Sequence, residues 1–168
     1  MPVTVKHPAF PTIDLASAEK EIVAALDSAF SEVGFCICNN AYSDQEIRED
    51  AFAASRAFHK LPETVKASYA INSAHRGYIS PKSSTSRTSS VTKVQRPNTS
   101  ESFMLMHEVL ENDPRLGKPL QGPNQWPQEV PGFQDKMTAY WQDVNCTARK
   151  LAKLCLKALG IEIRLYEA

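Results

Sequence analysis

Four histidines and four cysteines are the side chains of this 168-residue chain best suited to holding a metal or doing nucleophilic chemistry. The most economical metal pair is a histidine with a carboxylate two residues later, because in an extended segment both side chains leave the same face. The residues two places after His7, His59, His75 and His107 are Ala9, Leu61, Gly77 and Val109, so none of the four makes that pair. His107 and Glu108 are adjacent, which in a strand turns them to opposite faces. Cys36 and Cys38 alternate within an apolar run and point to one side of a strand. Cys146 and Cys155 stand in a helical stretch at a spacing that puts them on roughly opposite faces, at about 100° per residue. The cysteines therefore read as small apolar side chains of a reducing compartment. Gly-x-Ser-x-Gly, Cys-x-x-Cys and a phosphate-cradling glycine loop are all missing from the sequence.

Such a chain is long enough for one domain with a core. Hydrophobic residues make up 42% and charged ones 23%, ordinary for a globular protein. Nineteen Lys and Arg balance nineteen Asp and Glu, so no global field recruits nucleic acid or an anionic membrane. Met1-Pro2-Val3-Thr4-Val5-Lys6 lacks the apolar stretch of a secretory signal, and no run reaches membrane-spanning length. The expectation is a soluble cytoplasmic protein with neither nucleic-acid nor membrane partners.

The elements that must position any site follow from periodicity. Phe10 to Leu15 opens as a short strand, with Asp14 or Ser17 placed to cap the next helix. Ile22, Leu26, Phe30 and Val33 recur at helical spacing over Ala18 to Val33, and Gly34 suits the position just past a helix end. Phe35 to Cys38 reads as a buried strand. Ser43-Asp44-Gln45-Glu46 has capping-box form and predicts a helix to about Leu61, with Ile47, Ala51, Ala54 and Phe58 on one face. Pro62 cannot continue that helix and suits the first turn of a short separate one that starts Pro62-Glu63-Thr64-Val65-Lys66.

A polar loop, flexible over about 80–100, carries Lys82, Arg87, Lys93 and Arg96 with no acidic residue between the first and last. It reads as a long solvated loop in preference to an anion-binding or phosphorylatable one. Ser102 to His107 is a candidate strand, and Gly122-Pro123-Asn124-Gln125-Trp126-Pro127 is too punctuated for a regular element. The longest helix spans about 131–159, with Phe133, Met137, Tyr140, Trp141, Val144, Ala148, Leu151 and Cys155 as its stripe.

These pieces stand in a distinctive order. Pro11-Thr12-Ile13-Asp14-Leu15, Gly34-Phe35-Cys36-Ile37, Phe58-His59-Lys60-Leu61-Pro62, His75-Arg76-Gly77-Tyr78, Glu101-Ser102-Phe103, Gly122 to Pro127 and Pro131-Gly132-Phe133 run along most of the chain. Together they resemble the N-terminal region of the isopenicillin N synthase-like 2-oxoglutarate/iron(II)-dependent dioxygenases. The resemblance implies an α+β fold: helices and a few short strands of the dioxygenase fold, with most of the double-stranded β-helix core absent. It also implies one domain over 1–168 and, for a full-length member, Fe(II) and 2-oxoglutarate as cofactors and a small organic substrate. Family members hold iron with His-x-Asp and a distal His, and 2-oxoglutarate with Arg-x-Ser; those motifs lie C-terminal to the long helix, where this sequence carries neither. Asn39-Asn40-Ala41 stands where the family has Asn-His-Gly, and an Ala in the glycine's place raises the expectation of an altered turn.

By resemblance, Arg76, Tyr78, Ser102 and Phe103 lie near the mouth of the substrate cleft. Arg76 is suited to a substrate carboxylate and Tyr78 to a hydroxyl contact; a salt bridge for Arg76 and packing for Tyr78 are the competing roles. Asn124 and Trp126 are expected to pin the punctuated arm. No catalytic or metal residue is assigned to this chain, which is expected to bind no cofactor alone. The function expected is therefore the N-terminal portion of a dioxygenase, shortened before its catalytic core. A stand-alone binding or regulatory module and a decayed product are the alternatives. The apolar face of helix 131–159, left uncovered, is expected to drive self-association.

Overall fold

The computed structural model describes residues 10–41, 44–83, 97–162 and 164. Ser43 of the expected capping box, His7, and the loop cations Arg87, Lys93 and Arg96 lie outside the described residues. The chain divides into two compact units, one made of Met1–Glu49 with Thr138–Ala168 and the other of Asp50–Met137.

In the first unit, β1 (Thr12–Asp14) pairs in parallel with β2 (Ile37–Asn39), and Ile13 stands opposite Cys38. Between them runs α1 (Glu19–Glu32). Neither Asp14 nor Ser17 caps it: Ala18 is the N-cap and receives no side-chain hydrogen bond. Asp14 instead accepts from the Ala16 N–H at 2.9 Å and from Asn40 Nδ2 at 2.7 Å, tying the ends of both strands together. The helix buries Ile22, Leu26 and Ala29, while Phe30 and Val33 stay half exposed. Phe30 sits about 80° round the helix from Ile22, and Val33 is the C-cap, where the helical path has ended. Gly34 follows at φ 93° and closes the helix by donating to Ala29 O at 2.9 Å.

The expected buried strand over Phe35–Cys38 is corrected in both position and burial. It begins at Ile37, and Phe35 and Ile37 are each 49% exposed. Alternation explains this, since Cys36 and Cys38 take the inward face and the aromatic and branched residues take the outward one. The positive φ in the Asn39-Asn40-Ala41 turn falls on Asn40, at 52°. Asn tolerates that region, so Ala41 carries no strain.

The core of this unit is Ile13, Leu15, Ile22, Leu26, Ala29 and Leu154, flanked by Cys36, Cys38, Leu151 and Cys155. Leu154 belongs to α4 (Phe133–Ala158), whose C-terminal half is anchored by Lys150 Nζ donating to Leu15 O at 2.8 Å and by Thr147 donating to Ala41 O. The expected stripe omitted Leu154 and included Ala148 and Trp141, both of which are exposed.

The second unit holds most of α2 (Gln45–His59), then α3 (Glu63–Ser68), β3 (Gly77–Ile79), β4 (Ser102–Met104) and the start of α4. Pro62 is the N-cap of α3, one position before the first turn expected for it, and its carbonyl accepts from the Val65 and Lys66 N–H groups, each at 3.0 Å. β3 and β4 are antiparallel, with Tyr78 opposite Phe103. At the centre lies Phe58, fully buried, with ring centroids 4.6 Å from Phe103, 5.8 Å from Tyr78 and 6.0 Å from Phe133. Offset and edge-on contacts of this kind add to the area they bury. The fold is α+β. Among the described residues its β-structure is two two-stranded sheets and one isolated bridge, and no helix is long and apolar enough to cross a membrane.

Candidate functional site

The antiparallel β3–β4 pair brings together the four residues singled out from the sequence. Arg76 immediately precedes β3, Tyr78 is its middle residue, and Ser102 and Phe103 open β4. Gly77 is the residue that permits this. Its φ is 116°, and a Cβ there would stand 2.3 Å from Tyr69 O and 2.2 Å from Gln125 Nε2. The close approach lets Gln125 donate to Ala70 O at 3.0 Å and Arg76 O at 2.8 Å.

Arg76 is 1% exposed. Its Nη1 donates to Leu120 O at 2.6 Å and to Ala74 O, and its Nη2 to His107 O at 3.1 Å. Met106 Sδ lies 3.5 Å from Nη1, and Nε is buried without a partner. The salt bridge weighed for Arg76 is thus replaced by a set of backbone carbonyls, which a guanidinium fork satisfies from several directions. It ties the turn before β3 to the segment after β4 and to the Leu120 loop.

Tyr78 faces a polar cluster. Its hydroxyl donates to Glu101 Oε2 and lies 3.3 Å from Glu63 Oε2. Lys66 Nζ donates to the same Glu101 oxygen at 2.6 Å, stands 3.1 Å from Glu63 Oε2, and sits 5.1 Å from the Tyr78 ring centroid. His59 Nδ1 is 3.2 Å from Glu101 Oε1, an ion-pair distance but out of line for a hydrogen bond, so that nitrogen is buried without one. The Lys66 side chain is 8% exposed and that of Glu101 28%, so their attraction is poorly screened.

Electrostatics follow from the contacts. The Lys66 ammonium, and after it the Tyr78 hydroxyl, hold Glu101 below the usual carboxylate range against the opposing effect of burial. Glu101 in turn holds Lys66 well above the ordinary lysine value. Burial, helped by Glu101, pushes Tyr78 up to about 12. At neutral pH the cluster is a charged carboxylate, a charged ammonium and a neutral phenol. A phenol held there is a poor proton donor, and an ammonium so stabilised is a poor base.

The arm expected from Gly122 to Pro127 is fixed by side chains. Asn124 pairs with the Met106 backbone at two points, accepting from N–H at 3.0 Å and donating to C=O at 2.9 Å. Glu108 receives the Asn124 N–H at 2.8 Å and Trp126 Nε1 at 3.1 Å. His107 Nε2 is 2.8 Å from Arg115 Nη2, so the adjacent His107 and Glu108 serve different partners.

No motif or spacing in the sequence groups Lys66, Glu63, His59 and Glu101. Glu63 and Lys66 carry a weak local signal, the i,i+3 spacing on one helix face. Glu101 lies 35 residues from Lys66, and nothing local marks their meeting.

An iron centre of the two-histidine, one-carboxylate type needs three such side chains converging on one point. Among the described residues no three His, Cys, Asp or Glu side chains converge in this way. His59 has one carboxylate partner, His75 is exposed at a turn with φ 64°, and His107 is held by Arg115. The described residues do not fit an iron site.

Residues 10–129 match the profile of the N-terminal region of non-haem dioxygenases, described as non-haem dioxygenase in morphine synthesis N-terminal. The chain belongs to this family. Similar proteins include azadirone synthase LFS of Melia azedarach, 32% identical over 153 residues, which cover 89% of this chain and 45% of that one. Another is the 2-oxoglutarate-dependent dioxygenase eupC of a Phoma species, 28% identical over 155 residues, 83% of this chain and 48% of that one. A 2OG-Fe(II) oxygenase family protein from Caulobacter crescentus superposes with a TM-score of 0.80 at 18% identity, over 96% of this chain and 52% of that one. Neurospora crassa T7H, solved with alpha-KG and thymine, superposes at 0.71 with 22% identity, over 95% of this chain and 51% of that one. The fold is shared, and this dioxygenase N-terminal region spans about half the length of the relatives it matches.

Proposed function

We propose that this chain serves as the N-terminal portion of a 2-oxoglutarate/iron(II)-dependent dioxygenase acting on a small organic substrate, and that it does not catalyse unaided. The observation that carries this is the family match over residues 10–129 combined with a described structure in which no three ligand side chains converge. Fe(II) and 2-oxoglutarate are cofactors of the whole protein in this reading, and the setting is cytoplasmic. The region's own contribution is architectural. Arg76, Gln125, Asn124 and the Glu101 cluster hold β3 and β4 in one arrangement, and that strand pair flanks the substrate cleft. Within it, Ser102 and Phe103 border the cleft, while Arg76 and Tyr78, whose polar atoms are already engaged, act as positioning residues.

The test is the transcript that encodes the chain. Reading onward from the Ala168 codon is expected to give His-x-Asp, a distal His and Arg-x-Ser in frame or in a following exon. A stop codon with none of these downstream would refute the proposal and favour a stand-alone binding module. One observation supports that second reading: Phe10 and Phe35, with ring centroids 5.0 Å apart, and Ile37 form an apolar surface in the first unit, and Trp141 on α4 is 39% exposed. For the isolated chain we propose self-association through such surfaces, including the apolar face of α4. Sedimentation velocity showing a monomer at all concentrations would contradict that.

A further inference from the structure

Cys36 and Cys38 share the inward face of one extended segment, and their sulfurs are 3.9 Å apart. Both are half buried rather than sealed, and both flank the core of the first unit, where Cys155 also packs. Two thiols already in contact, reachable from solvent and two residues apart are a ready pair for joint chemistry. Nothing in the dioxygenase reading uses them.

We propose that Cys36 and Cys38 are a reversible two-thiol modification site that closes to an intrachain disulfide when a hydroperoxide is supplied. In the first step one thiolate attacks the peroxide oxygen. The O–O bond breaks, the alcohol (or water) leaves, and a sulfenic acid forms. In the second step the other thiolate displaces hydroxide from that sulfur, which departs as water once protonated, and the S–S bond closes. Two thiols lose two electrons and two protons, and the hydroperoxide is reduced to an alcohol and a water.

The geometry also says what closure does. A disulfide needs the sulfurs at about 2.0 Å and the β-carbons at about 3.8 Å. Residues i and i+2 of a strand have α-carbons about 6.6 Å apart, at the upper end of what a disulfide spans. The backbone at Ile37 must therefore contract. Ile37 is the residue whose N–H donates to Pro11 O at 2.8 Å and which stands opposite Thr12 in the β1–β2 pair. Closure loosens that pair, and the strained bond is readily reduced again. Burial raises the Cys38 thiol, which slows the reaction at neutral pH without removing it.

The experiment is a peptide map of the whole chain after brief exposure to hydrogen peroxide and alkylation of remaining thiols. Cleavage after Lys and Arg leaves Cys36 and Cys38 together on residues 21–48, Cys146 on 137–149 and Cys155 on 154–157. Peptide 21–48 is expected to appear unalkylated and lighter by two hydrogens, and to recover its thiols with a dithiol reductant. Cys155→Ser should retain this product; Cys36→Ser and Cys38→Ser should each abolish it. A cross-link between 21–48 and 154–157, sulfinic or sulfonic acid on 21–48, or two alkylated thiols there after treatment would each overturn the proposal. The wild-type map alone decides this, whether or not a variant folds.

Discussion

Replacing Glu101 by Gln tests whether the Glu101 cluster fastens β4 to α3. The carboxylate accepts from a Lys66 side chain that is 8% exposed and from the Tyr78 hydroxyl. Hydrogen bonds to a charged group contribute about 1.5–3 kcal/mol each, and neutral ones about 1 kcal/mol. Gln keeps an acceptor oxygen, so both bonds survive, but the phenol loses a charged acceptor and the Lys66 ammonium loses its counter-ion, a loss of about 1 kcal/mol at each. Lys66 retains Glu63 at 3.1 Å, but that partner is 59% exposed and weakly compensating. The expected cost is therefore about 2 kcal/mol, less than the about 3–5 kcal/mol of a fully buried pair because the Glu101 side chain is 28% exposed. Lys66→Met should cost a similar amount, because it leaves the carboxylate with a phenol as its remaining strong donor. In the double variant neither charge is stranded, so the total should stay near about 2 kcal/mol and the coupling energy should itself be about 2 kcal/mol. Urea unfolding in a Trp141→Phe background reads this out, since Trp126 then reports on the unit containing the cluster. A coupling energy below about 0.5 kcal/mol, the range of an exposed ion pair, would refute the claim that burial makes this pair strong.

Three further outcomes follow from the same contacts. Gly77→Ala should lower the stability of that unit by about 3 kcal/mol in the same urea assay, from a disfavoured φ and the clash with Tyr69 O; a change under about 0.5 kcal/mol would contradict it. Phe58→Ala should cost about 4 kcal/mol, since the rings of His59, Tyr69, Tyr78, Phe103 and Phe133 pack on a residue with no exposed surface, and the near-ultraviolet circular dichroism should weaken with it. Glu101 binds its proton less readily folded than unfolded, so its contribution is present above the ordinary value of 4.5 and is lost as pH falls through the lower folded value. Lys66 and Tyr78 are shifted upward, so theirs is present at neutral pH and is lost as pH rises, beginning above about 10. Urea midpoints against pH should thus form a plateau falling at both ends, and Glu101→Gln should flatten the acid limb; an unchanged acid limb would refute the assignment.

Local pattern made much of the scaffold legible. Ile22 and Leu26 at helical spacing, Gly34 after the helix, Pro62 between two helices and Ala51, Ala54 and Phe58 on one face all express short-range rules, and the structure follows them. Where burial depended on a partner the reading failed. Phe35 and Ile37 look like core residues by type, yet the small cysteines that alternate with them face inward and are half buried, because alternation allows only one face inward. Leu154 is buried and Trp141 exposed, since what lies beside a long helix, and not its own period, decides which residues of a broad apolar stripe are covered. A family's motif order singled out Arg76, Tyr78, Ser102 and Phe103 and the β4 strand showed in its apolar run, but β3 and its pairing with β4 did not. The Lys66–Glu101 contact that fastens it spans 35 residues and left no spacing to read. Arg76 shows a further limit: a guanidinium looks like a ligand for carboxylates, but backbone carbonyls, which no sequence pattern displays, satisfy it equally well.

The most direct test of the central claim is anaerobic equilibrium dialysis of the 168-residue chain against Fe(II) with 2-oxoglutarate, followed by admission of oxygen and measurement of succinate. The expected result is far less than one iron retained per chain and succinate at the level of the protein-free control. One tightly held iron per chain with turnover of 2-oxoglutarate would contradict it.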